Sequence, residues 1–98
     1  MSGFEILLSK KAIKYLEGLD DTSYNVILDG INKCLDTYLF IKTTLCNKKA
    51  LKGARYNTHR LHINMKYTIF YQIEETESTV YVIDIMGINQ AHSKYKRY

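Results

Sequence analysis

Three histidines, His59, His62 and His92, lie in or beside stretches rich in lysine and arginine. Imidazole takes up and releases protons near neutral pH. Two imidazoles beside fixed cations are enough for metal-free RNA cleavage. A base removes the 2′-hydroxyl proton, a cation stabilises charge on the phosphorane, and an acid protonates the leaving oxygen. The cations are concentrated to suit that chemistry. Residues 41–66 carry seven Lys/Arg and no acid, and residues 88–98 carry three Lys/Arg and no acid. Residues 1–40 have a net charge of −2 and residues 67–87 of −4. Two solvated loops would carry the same charge, but clustered Lys/Arg also release counterions on meeting phosphates, so the pattern suits a polyanion surface.

Elements of regular structure must position these groups. In Thr58–Asn64 the apolar Leu61 and Ile63 alternate with Arg60, His62 and Asn64, the period of a strand with one buried face. Arg60 and His62 therefore share the outer face, about 7 Å apart. His59 alternates to the opposite side and reads as structural. Tyr67–Glu74 is apolar on both faces, as a central strand is. Thr79–Met86 is β-branched and forms the next strand, after a hairpin loop at residues 74–78.

Upstream, Phe4–Leu8 suits a short strand, and Ser9 an N-cap. Ala12, Tyr15, Leu16 and Leu19 then fall at helical spacing, with Gly18 and Asp20-Asp21 ending that helix. Thr22 or Ser23 caps a second helix, whose stripe of Ile27, Ile31, Cys34, Leu35 and Tyr38 runs to about Phe40. So short a link predicts an antiparallel helix hairpin. Residues 41–57 show no period and read as a basic loop. The tail beyond Gly87 reads as a short helix or an extended arm.

The order is β-α-α-β-β-β, which predicts an α+β fold: an N-terminal strand and a helix hairpin packed on an antiparallel sheet. The first strand adds at an edge or beside the last strand. Residues 1–98 have room for one domain. No run of about 18 apolar residues exists to span a membrane, and the Met1–Glu5 segment lacks the features of a signal peptide. The expected location is the cytoplasm, with Cys34 and Cys46 as reduced thiols, Cys34 in the core and Cys46 in a loop. No cysteine or histidine pair has ligand spacing, so neither a metal nor a small-molecule cofactor is expected.

Three stretches of this chain resemble the RelE/ParE superfamily of toxins from type II toxin–antitoxin systems. They are Ala50-Leu51-Lys52-Gly53; Arg60-Leu61-His62-Ile63 with Lys66-Tyr67-Thr68-Ile69-Phe70-Tyr71-Gln72-Ile73; and Val82-Ile83-Asp84-Ile85-Met86-Gly87 followed by Tyr95. The likeness spans Phe4 to Tyr95. It implies a RelE-like endoribonuclease that cuts mRNA on the ribosome, held in check by a cognate antitoxin protein. It also implies that the C-terminal tail returns beside the sheet.

On that basis His92 and His62 take the acid and base roles, Arg60 holds phosphate, and Tyr95 stacks on or orients a base. Lys48, Lys49, Lys52, Arg55, Lys94, Lys96 and Arg97 contact RNA. The chain departs from the family at Thr68 and Asn89, where basic residues are usual. The alternative is a non-enzymatic, ParE-like inhibitor of gyrase, or a catalytically decayed RNA-binding homologue.

Overall fold

In the computed structural model, residues 3–52 and 57–94 are described. Strand β1 (Glu5–Leu8) leads into helix α1 (Lys10–Glu17) and helix α2 (Asp21–Asn32). Strands β2 (Asn47–Ala50), β3 (Thr58–Ile63), β4 (Tyr67–Glu74) and β5 (Thr79–Gly87) follow, then the short helix α3 (Ile88–His92). The five strands form one sheet in the order β1-β5-β4-β3-β2. The sheet is mixed, not wholly antiparallel as the sequence suggests, because β1 runs parallel to β5 with Leu8 opposite Val82. No described helix is long and apolar enough to cross a membrane.

The helix starts follow local chemistry. Ser9 Oγ accepts from Ala12 N at 3.1 Å and donates to Ile83 O at 2.8 Å, so one hydroxyl caps α1 and pins it to β5. The second cap is Asp20, not Thr22 or Ser23: its carboxylate accepts from Ser23 N at 2.9 Å. That bond satisfies an otherwise orphaned helix N–H. The Ser23 side chain first, and this backbone N–H second, hold the Asp20 carboxyl below its ordinary pKa.

The apolar stripe of α2 packs on the sheet, and Ile27 and Ile31, with Leu35 just beyond the helix, share a core with Leu61, Ile69 and Val82. Gly30 permits the approach: a Cβ there would lie 2.6 Å from Ile63 Cδ1. Beyond Asn32 the helix widens into a π-helical turn, Lys33–Thr37, in which Tyr38 N donates to Lys33 O at 2.9 Å. The regular helix is therefore shorter than the run to Phe40 expected from its stripe.

Two further expectations are corrected. Residues 41–57 are not all loop, because Asn47–Ala50 pairs antiparallel with β3 as an edge strand. Cys34 and Cys46 are not reduced thiols. Their Cα atoms are 5.7 Å apart, and a disulfide joins the π turn to the residue preceding β2. Two cysteines twelve residues apart meet because the chain doubles back from the helix end to the sheet edge.

The tight β3–β4 turn places Asn64 (φ 53°) and Met65 (φ 52°) in the left-handed region. Lys66 N closes it on Ile63 O at 3.0 Å. A bulge in the β4–β5 ladder makes Phe70 oppose Asp84 while Tyr71 opposes Val82. The extra residue, Ile83, joins a second small core with Phe70, Met86, Ala91 and Leu51. Through that core α3 packs on the sheet.

Candidate active site

On β3, Leu61 and Ile63 are buried in the main core, so Arg60 and His62 stand on the other side of the sheet, as their alternation predicts. Strand β2 then sorts the lysines. Asn47 faces His62 and Lys49 faces Arg60 across the ladder, while Lys48 faces Leu61. Cross-strand partners share a face, so Asn47 and Lys49 join Arg60 and His62, and Lys48 turns toward the helices.

Helix α3 completes the site. Ala91 is buried against Phe70 and Met86, which sets His92 one residue on, at the rim. The rings of His92 and His62 lie 6.2 Å apart, centroid to centroid, tilted by 48°. Lys49, Lys52, Arg60, His62 and His92 line one open cavity of about 380 Å³. The structure thus gathers five residues that the sequence singled out.

Arg60 is held in place. Its Nη1 donates to Asn47 Oδ1 at 3.1 Å and to Asn47 O at 3.3 Å. Sequence reasoning missed Asn47, since no periodicity marked β2. The His62 pKa falls below its ordinary 6.5, first through burial, then through the charges of Arg60 and His92. The shift favours the neutral imidazole at neutral pH.

Other candidates go elsewhere. Lys48 is committed to structure: its ammonium donates to Tyr38 O, to Leu39 O at 3.1 Å and to Cys34 O at 3.2 Å, closing the carbonyl end of the helix. Burial lowers its pKa. Lys94 lies across α3 in a separate cavity of about 310 Å³, with Lys11, Lys14 and Gln90. Tyr95, Arg55, Lys96 and Arg97, and the glycine of the loop motif, Gly53, fall outside the described residues. His59 stands on the helix face, stacked on Tyr71 at 5.3 Å and 19°.

The two departures from the family differ in environment. Asn89 is exposed on α3. Thr68 is wholly buried, directly opposite His62 across the β3–β4 ladder. Its Oγ1 has no hydrogen-bond partner among the described residues. No group of three or more metal-ligating side chains gathers among the described residues.

A scan against protein-family models finds no match, and neither does a search of curated protein sequences. Solved structures do match. An archaeal RelE in complex with RelB, from Pyrococcus horikoshii, superposes with a TM-score of 0.71 at 15% identity, covering 90% of this chain and 98% of that one. The RelBE2 toxin–antitoxin complex of Mycobacterium tuberculosis gives 0.70 at 14% identity, covering 87% and 98%. A metal-bound toxin from Helicobacter pylori gives 0.67 at 21% identity, covering 89% and 97%. With nearly the whole of each chain superposed, this protein has the fold of the RelE toxins.

Proposed function

We propose that this protein is the toxin of a toxin–antitoxin pair and an endoribonuclease that cuts mRNA on the ribosome. The observation that carries the reading is the facing pair His62 and His92 in one cavity with Arg60. Neighbours that share the fold were crystallised as RelE with RelB, which supports an antitoxin as this chain's partner.

In the proposed reaction His62 accepts the proton of a ribose 2′-hydroxyl. The freed oxygen attacks phosphorus, and the bond to the 5′-oxygen breaks. His92 gives its proton to that oxygen, leaving a 2′,3′-cyclic phosphate and a 5′-hydroxyl. Arg60, Lys49 and Lys52 hold the phosphate and offset its growing charge. A group that supplies one proton transfer contributes about 10²–10⁴-fold to rate, so His62→Ala or His92→Ala should cost that much. Translating ribosomes with labelled mRNA, incubated with parent or variant protein, test this. Equal cutting by the parent and both variants would overturn it.

Thr68 favours a second reading. A buried threonine replaces the family's usual basic residue beside His62, removing one cation from the phosphate site. A ParE-like gyrase inhibitor or an inactive RNA-binding homologue needs no such cation. Intact mRNA together with DNA-damage signalling in cells expressing the protein would select the gyrase reading. RNA binding without cutting or growth arrest would select the inactive one.

A further inference from the structure

The cavity with the two histidines stops at the sheet edge, and a second one begins on the other side of that edge. It is larger, about 490 Å³, and lies where the chain after the helix, Leu39 to Lys42, meets β2, β3 and β4. Its apolar wall is formed by Leu39, Ile73 and Tyr71, and His59 lies stacked on Tyr71. Lys42 and Lys49, both exposed, stand at its rim. Lys49 and Ala50 line both cavities, so among the described residues strand β2 runs between them.

The chemistry of this groove is that of a base-stacking site. His59 and Tyr71 are nearly parallel, so the pair presents a flat imidazole supported from behind. Burial and the nearby Lys48 charge keep His59 uncharged near neutral pH. Lys48 itself is engaged with the helix carbonyls and holds the groove wall. Glu75 supplies a carboxylate that can accept from an exocyclic amino group. Single-stranded nucleic acid is held in this way elsewhere, by aromatic faces for bases with lysines alongside for phosphates.

We propose that this groove is a second nucleotide subsite. A base of the same single-stranded RNA stacks on His59, and the strand passes over β2 with its phosphates against Lys49 and Lys42. The proposal rests on RNA occupying the His62 cavity. It adds that substrate recognition extends around the sheet edge to the helix face. An acidic, apolar peptide is the competing occupant. The parallel ring pair and the lysine shared with the first cavity favour RNA.

The test uses the full chain carrying His92→Ala, so that RNA is bound and not cut. Its affinity for a fluorescent oligoadenylate hexamer is compared with that for a dinucleotide. Stacking contributes about 1–3 kcal/mol per base, so adding His59→Ala should weaken hexamer binding about five-fold or more, with a smaller loss for the dinucleotide. His59→Phe should restore the affinity, which separates stacking from a folding defect. Lys42→Glu should weaken hexamer binding as well.

Unchanged hexamer affinity in His59→Ala, with binding still dependent on His62, overturns the subsite and leaves the first cavity standing. No hexamer binding by the His92→Ala parent overturns both. Loss of affinity for an acidic peptide, with hexamer affinity intact, overturns the subsite and makes the groove a protein-docking surface.

Discussion

Asn47 holds Arg60 through two acceptors at once, its side-chain Oδ1 at 3.1 Å and its backbone O at 3.3 Å, both reached by the same Nη1. The edge strand thereby aims the cation that stands next to His62. A guanidinium held in one place loses less entropy on meeting a phosphate than a free one. Replacing Asn47 by Ala removes one of the two acceptors and keeps the ladder. An exposed bond of this kind contributes about 1 kcal/mol, so kcat/KM for RNA cleavage should fall about three- to ten-fold with the melting temperature little changed. Steady-state cleavage beside a thermal melt checks this.

The lowered pKa of His62 has a signed consequence. If His62 is the proposed base it must be unprotonated to act, so the acid limb of a cleavage profile should have its midpoint below the ordinary 6.5. Removing the Arg60 charge in Arg60→Met should move the His62 midpoint upward, because that cation disfavours the protonated ring. A titration followed by the His62 ring protons in NMR reads both values. Stability runs the same way. The folded pKa values of His62 and His59 lie below their unfolded ones, so the unfolded chain binds protons more readily. Stability should fall as pH drops through and below about 6.5.

The disulfide should contribute through the unfolded chain. Cys34 and Cys46 are twelve residues apart, and closing a loop of that size restricts the unfolded ensemble by about 3 kcal/mol on the chain-entropy account. For a chain of this length the melting temperature should drop by more than about 10 °C on reduction. The Cys34→Ser, Cys46→Ser double variant should match the reduced parent. Equal melting of oxidised and reduced protein would show that the bond adds nothing.

Lys48 and Lys49 are neighbours with opposite duties, and a paired substitution separates them. Lys48→Met removes the lysine donor from the Cys34, Tyr38 and Leu39 carbonyls, of which Tyr38 O keeps Ile41 N, and should cost about 1–3 kcal/mol of stability. It should barely alter the salt dependence of RNA binding. Lys49→Met should leave stability nearly unchanged and reduce the slope of log affinity against log salt by about one. Denaturant melts and a salt series on the same two proteins give the comparison.

The sequence alone determined which side of β3 each residue occupies. Leu61 and Ile63 must be buried, and the two-residue period of a strand then places Arg60 and His62 together outside. The Ser9 cap, the apolar stripe of α2 and the doubly apolar β4 were legible for the same reason. Each is a local pattern whose period or capping chemistry does not depend on distant residues.

Only the tertiary structure decided the rest. Strand β2 has four residues and no apolar alternation, so its pairing with β3 alone assigns Lys48 to the helix carbonyls and Lys49 to the cavity. Cys34 and Cys46 pair because packing brings their Cα atoms to 5.7 Å, a distance no spacing in the chain encodes. His92 meets His62 because the bulge in β5 frees Ile83 to join Phe70, Met86 and Ala91, the small core on which α3 sits. Register, disulfide pairing and the docking of a short helix depend on which surfaces meet in space, and that is settled by burial across the whole chain.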